Sequence, residues 1–271
     1  MAPTTRFTTE TYYLYDVESI IYTMESRSVI NELPSQAMLA DNIAHVQAHI
    51  VQAAERVGRR PEEITLVAVS KTKPVELIKL VHTLGLHNFG ENRVQDALPK
   101  IAEFRHEGIE PVIWHMIGHL QRNKVNKVVG SFDCIQSVDD LQLAQAINRH
   151  AAELGLRIAV LLQVNVSGEA SKEGGTPEET LALAQQIVTL PQLDVQGLMT
   201  VAPQVTNAEE VRPVFRELRL LRDRLRQEVP QSAWQHLSMG MTNDYGIAIE
   251  EGATIVRVGR AIFGERIQRV S

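Results

Sequence analysis

The stretch LVAVSKTKP, residues 66–74, decides how this chain is read. Leu66, Val67, Ala68 and Val69 form a short, β-branched apolar run of the kind found in strands buried on both faces. Pro74 cannot donate to a ladder but suits the first turn of a helix, so a buried strand passes almost directly into a helix. Lys71 falls in that passage, an amine at the edge of buried surroundings.

The same unit repeats outward from this stretch. Strands are expected at 64–70, 87–91, 111–117, 133–137, 157–165, 193–200, 234–239 and 254–258. Helical patterns at 74–84, 93–106, 121–129, 139–154, 177–190, 207–228 and 243–251 separate them. Eight strands in strict βα alternation predict an α/β fold, a closed parallel (β/α)8 TIM barrel. An open doubly wound sheet is the competing architecture, weakened because no Gly-x-Gly-x-x-Gly turn follows the first strand. Before the first strand, Leu39, Ile43, Val46, Ile50, Ala54 and Val57 recur three or four apart and Gly58 stops them, which predicts an N-terminal amphipathic helix. Residues 36–271 contain no linker or break in composition and read as one barrel domain. Residues 1–35, rich in Thr, Ser and Tyr without sustained periodicity, read as a loosely ordered extension.

Composition narrows the function. A net charge of −6 argues against a surface that tracks nucleic acid, while leaving room for a local basic pocket. Cys134 is the only cysteine, so neither an intrachain disulfide nor a cysteine-based zinc site can form, and a reducing cytoplasm is the expected location. No apolar run approaches the ~20 residues of a membrane span. His82, His87, His106, His115 and His236 lack metal-ligand spacing with cysteine or acidic partners, and no metal is expected.

In a barrel of this kind, chemistry gathers at the C-terminal ends of the strands. Those ends carry Lys71, Glu91, Asn92, Gly118, His119, Ser137, Asn165, Thr200, Ser238 and Arg257. LSMGMTNDYG, residues 237–246, and RVGRAIFG, residues 257–264, follow the last two strands, where barrel phosphate sites commonly form. An ordinary glycine turn with a helix cap would leave a similar trace in the first of them. Arg257 sits within the apolar run IVRVG and needs an acceptor: a salt bridge to Glu250 or Glu251, or a ligand atom. A desolvated lysine near another cation would be a nucleophile toward carbonyls. Amine, anion cradle and arginine together suit an aldehyde that carries a phosphate. His119 and Lys124, in GHLQRNK, read as a loop histidine and a lysine on a solvated helix.

LVAVSKTKP, FGENRVQDALPK, WHMIGHLQRNKV, IQSVD, QVNVSGEASKEG, GLMTVAP and HLSMGMTNDYGIAIEEGATIVRVGRAIFG together resemble the pyridoxal phosphate homeostasis proteins, the YggS/PROSC family. The resemblance runs from about residue 38 to residue 266. It implies a barrel similar to that of alanine racemase, fold type III, without the racemase's second domain. It implies pyridoxal 5′-phosphate (PLP) as cofactor, joined through its aldehyde to Lys71, with Asn92 beside the ring, Met199 on the ring face and Arg257 at the pyridine nitrogen. Ser238 and the backbone near Met239, Gly259 and Arg260 would hold the phosphate. Family members commonly carry a small residue or threonine at position 260, so Arg260 would bring charge in place of a hydroxyl.

The function implied is intracellular PLP homeostasis: storage of the cofactor and its delivery to PLP-dependent apo-enzymes. No turnover is expected, no residue is assigned a catalytic role, and a monomer is expected. A racemase-like enzyme is the first alternative. It is disfavoured because the racemase takes its second proton-transfer group, a tyrosine, from a partner subunit, whereas Tyr245 here reads as packing over a helix start. An aldolase-like barrel using Lys71 on a sugar phosphate is the second.

Overall fold

The structure is a computed structural model that describes residues 34–169 and 172–264. The extension expected over residues 1–35 lies, up to residue 33, outside the described residues. Helix α1 (Gln36–Arg56) comes first and buries Leu39, Ile43, Val46, Ile50, Ala53 and Ala54 along one stripe. Each fully buried leucine or isoleucine there contributes about 2 kcal/mol. Val57, expected in that stripe, is exposed instead: the helix ends at Arg56, and Gly58, at φ 69°, turns the chain away.

Eight strands follow: β1 (Thr65–Val69), β2 (Asn88–Glu91), β3 (Ile113–Met116), β4 (Cys134–Val138), β5 (Ile158–Gln163), β6 (Leu193–Met199), β7 (His236–Ser238) and β8 (Ile255–Val258). They pair in parallel in sequence order, and β8 returns to β1 through Thr65↔Ile255, Leu66↔Val256, Val67↔Arg257 and Ala68↔Val258. The sheet is therefore the closed barrel that βα alternation predicts. Strand β3 starts later than expected, at Ile113, because Pro111 has no N–H to give a ladder.

The helices between strands are α2 (Val75–Thr83), α3 (Val94–His106), α4 (Val125–Val128), α5 (Leu141–Glu153), α6 (Pro177–Ile187), α7 (Arg212–Glu228) and α8 (Tyr245–Glu250). Two expected helices are shorter or divided. Residues 121–129 hold a 3-10 turn, Arg122–Lys124, and the single turn of α4. The 207–228 pattern divides into a 3-10 turn, Ala208–Val211, and α7, with a proline in the first turn of α7 where its missing N–H is tolerated. A further short helix, α9 (Arg260–Phe263), follows β8 and was not foreseen.

Two kinds of residue fill the barrel. Val67, Cys134, Leu161, Met199 and Ile255 form one buried cluster with Ala159 packed on it. They come from β1, β4, β5, β6 and β8, several of which are not neighbours, so they meet across the interior. Burial pushes the Cys134 thiol up to about 12, leaving it an inert packing group. Beside this cluster runs a file of buried polar side chains, described next.

Candidate functional site

At the end of β1, Ser70 and Lys73 close a turn through a 3.1 Å backbone hydrogen bond, with Lys71 and Thr72 between them. Thr72 has φ 64°, a left-handed conformation costing a β-branched residue roughly 1–3 kcal/mol. The surroundings enforce it on both sides. The Ser70 hydroxyl donates to Glu91 Oε1 at 2.7 Å, and Lys100 of α3 reaches both that oxygen, at 2.7 Å, and the Ser70 carbonyl, at 3.0 Å. On the other side Lys73 Nζ donates to the Phe263 and Gly264 carbonyls at the end of α9. Lys71 itself is exposed, as a solvated lysine at a strand end would be.

At the end of β2, Asn92 Oδ1 is buried without a donor, as is Glu91 Oε2. Gly118 allows this corner to exist, since a Cβ there would lie 2.3 Å from the Asn92 carbonyl oxygen. Met199, at the end of β6, is fully buried in the interior cluster.

Arg257 is the electrostatic centre. It is 4% exposed, and Nη1 donates to Ser238 Oγ at 2.6 Å while Nη2 donates to the Thr200 carbonyl at 2.7 Å. The salt bridge to Glu250 or Glu251 does not form. Those acids are taken by Arg56 and by Arg212, Arg216 and Arg219 around α7, on the outer side of the barrel. Among the described residues no carboxylate pairs with Arg257. Burial pulls its pKa down to about 10, and only the charge of Asp244 acts against that. Among the described residues, three of its five N–H groups have no hydrogen-bond acceptor.

The Ser238 hydroxyl donates to Gln136 Oε1 at 2.6 Å; Gln136 Nε2 lies 3.0 Å from His115 Nδ1, and His115 Nε2 lies 3.0 Å from Asn88 Oδ1. This file spans the barrel from Arg257 to the first residue of β2. Lys100, Gln136 and His115 were not among the expected site residues.

The loops after β7 and β8 stand side by side. Gly240, at φ 94°, lets the β7 loop turn against α8, where a Cβ would come within 2.6 Å of Ala248 Cβ. Gly259 packs on Val69 of β1, and Arg260 Nη2 donates to Asn243 Oδ1 at 3.3 Å, joining the two loops. The Met239 N–H is used within the barrel, on the Ile255 carbonyl at 3.1 Å, and so is not open to an anion. Helix α1 supports both loops: Asn42 donates to the Ile262 carbonyl at 3.0 Å, and the His49 ring meets that of Tyr245 edge-on at 4.8 Å. His119 lies apart from these groups, paired with Glu173 at 3.5 Å beside Asp139 and Asp140.

A lysine turn, a buried unpaired arginine and two glycine loops at one mouth of a closed parallel barrel define a protein of the alanine racemase barrel class. The profile of the alanine racemase N-terminal domain family matches residues 37–267, and the chain belongs to that family. Within it, the chain is 44% identical over 226 residues to the pyridoxal phosphate homeostasis protein of Aquifex aeolicus, covering 83% of this chain and 97% of the relative. The protein of that name from Escherichia coli is 42% identical over 232 residues, 84% and 97% of the two chains. PipY of Synechococcus elongatus, solved with PLP bound, superposes with a TM-score of 0.73 at 36% identity, covering 83% of this chain and all of that one. An alanine racemase from Clostridium difficile shares the fold, with a TM-score of 0.63 at 20% identity over 84% of this chain and 58% of that one.

Proposed function

We propose that the chain binds PLP at the barrel mouth, with Lys71 as its covalent anchor, and holds it in the cytoplasm for delivery to apo-enzymes without turnover of its own. The observation that carries this reading is Arg257, a buried guanidinium with no acidic partner and free N–H groups. An acceptor such as a ring nitrogen satisfies it without a second charge. The relatives named for PLP homeostasis and the PLP-bound PipY structure support the same ligand.

The residues present fit the group. When bound, PLP supplies an aldehyde that a lysine amine can join and a ring able to stabilise negative charge. Lys71 would offer the amine from a turn pinned on both sides. Asn92 would use its undonated Oδ1 beside the ring, and Met199 would pack against the ring face. Arg257 would donate to the pyridine nitrogen. Its positive charge opposes protonation there, which lessens the ring's capacity as an electron sink. Gly259 would let the phosphate approach the backbone, and Arg260, held by Asn243, would bring it positive charge.

Racemisation needs a second proton-bearing group opposite Lys71. Tyr245 is buried against His49, which ties it to the support of the loop and favours the carrier reading. The test is incubation of the PLP-loaded protein with L-alanine and other L-amino acids in deuterium oxide. Negligible Cα deuteration is expected. Rapid deuteration with accumulation of the D-isomer, lost in Lys71→Ala, would replace the carrier with an enzyme.

A further inference from the structure

The buried file Arg257, Ser238, Gln136, His115 and Asn88 has a direction that the chemistry of its members dictates. Arginine only donates, so Ser238 Oγ accepts from Nη1 at 2.6 Å and its own hydroxyl proton needs an acceptor elsewhere. Ser238 is fully buried, and the oxygen available to it is Gln136 Oε1, at 2.6 Å. That orientation turns the Gln136 amide so that Nε2–H meets His115 Nδ1. Nδ1 must then be bare, which puts the imidazole proton on Nε2, facing Asn88 Oδ1. The opposite amide orientation would aim two donors, from Arg257 and Gln136, at Ser238. It would place the imidazole proton on Nδ1 and leave the Ser238 proton free to turn toward a ligand anion.

The tautomer of His115 thus decides what Ser238 can do at the mouth. We infer that His115, acting through Gln136, holds the Ser238 proton away from the ligand, and that Ser238 is a positioning residue for Arg257 and not a phosphate donor. Burial supports this assignment. Arg257, Ser238, Gln136 and His115 are all buried, and a hydroxyl proton left without an acceptor among them is strongly disfavoured. The file has two consequences. Arg257 is set in place by hydrogen bonds to neutral groups, the Ser238 hydroxyl and the Thr200 carbonyl, so its charge is not spent on a carboxylate hydrogen-bonded to it. The phosphate must be held by the loops after β7 and β8 without the serine.

The ligand part of this inference rests on the PLP reading above, and the experiment separates the two. In the wild-type protein, 15N NMR of the histidine rings should show His115 protonated at Nε2 and bare at Nδ1, whether or not ligand is present. Gln136→Glu, which as a carboxylate only accepts, should move a proton onto Nδ1. Binding is then measured for PLP and for pyridoxal, which lacks the phosphate. Ser238→Ala should weaken both by the same factor, about tenfold, because the loss falls on Arg257 and the ring. Gly259→Asp should weaken PLP alone and shows that the assay resolves the phosphate contribution. A proton on Nδ1 of wild-type His115, or a loss in Ser238→Ala confined to PLP, would overturn the assignment. Wild-type protein that binds neither compound would refute the PLP reading, and the His115 tautomer would still decide the direction of the file.

Discussion

Lys100 Nζ and Glu91 Oε1 meet at 2.7 Å beneath the Lys71 turn, with the glutamate fully buried and the lysine nearly so. The same ammonium bonds the Ser70 carbonyl, so this ion pair also fixes the residue immediately before Lys71. A buried pair need not stabilise more than well-packed apolar groups would, but removing one partner leaves the other charged and unpaired. The clamp therefore serves the position of the turn as much as the stability of the barrel.

Lys100→Met should accordingly cost about 3–5 kcal/mol in urea denaturation, because Glu91 is left uncompensated. Adding Glu91→Gln should recover much of that loss. The double variant should still bind PLP more weakly than wild type, since the Ser70 carbonyl has lost its tether. Full affinity in the double variant would show that the pair has no part in placing Lys71.

Burial and the neighbouring His236 charge push His115 down to about 4, against an ordinary histidine value of 6.5. Above pH 6.5 the ring is neutral in both folded and unfolded chains and contributes no pH dependence. As pH falls from 6.5 to about 4, the unfolded chain takes up a proton that the folded one refuses, so stability is lost across that window. The loss attributable to this ring saturates at about 3 kcal/mol. His115→Gln should reduce the slope of unfolding free energy against pH by nearly one proton between those limits. An unchanged slope would mean that His115 titrates normally in the fold.

Gly118→Ala places a methyl 2.3 Å from the Asn92 carbonyl oxygen, a contact with backbone that no rotamer relieves. A destabilisation of about 1–3 kcal/mol is expected, with weaker PLP binding as Asn92 is displaced. Melting temperature and PLP titration check this together. A shift in melting temperature with unchanged affinity would separate Asn92 from the ligand.

The barrel was legible in the sequence because strands such as β1 and β5 are short apolar runs bounded by polar ends, and the helices between strands show their own period. What was not legible depends on contacts between distant segments. Val57 continues the apolar spacing of α1 but falls one residue past its end, and spacing alone does not locate that end. Lys71 reads as a lysine at the edge of buried surroundings, but the conformation of its turn does not show: Thr72 is left-handed, and a left-handed threonine leaves no trace in composition. Arg257 correctly drew attention as a cation in an apolar run, but its freedom from Glu250 and Glu251 depends on α7 arginines far along the chain. Gln136 and His115 did leave a signal. Each is a polar residue at an inward position of a strand, and two such positions on neighbouring strands suggest an internal hydrogen-bonded file. Lys100, on the surface helix α3, gave none.

The central claim is that Lys71 anchors PLP, and borohydride reduction of the PLP-loaded protein followed by peptide mapping tests it most directly. Reduction should fix one pyridoxyl group on the peptide carrying Lys71, and Lys71→Ala should abolish both the label and the visible absorption band while retaining the wild-type fold. Attachment at Lys73 or Lys124, or a visible band that survives in Lys71→Ala, would contradict the account.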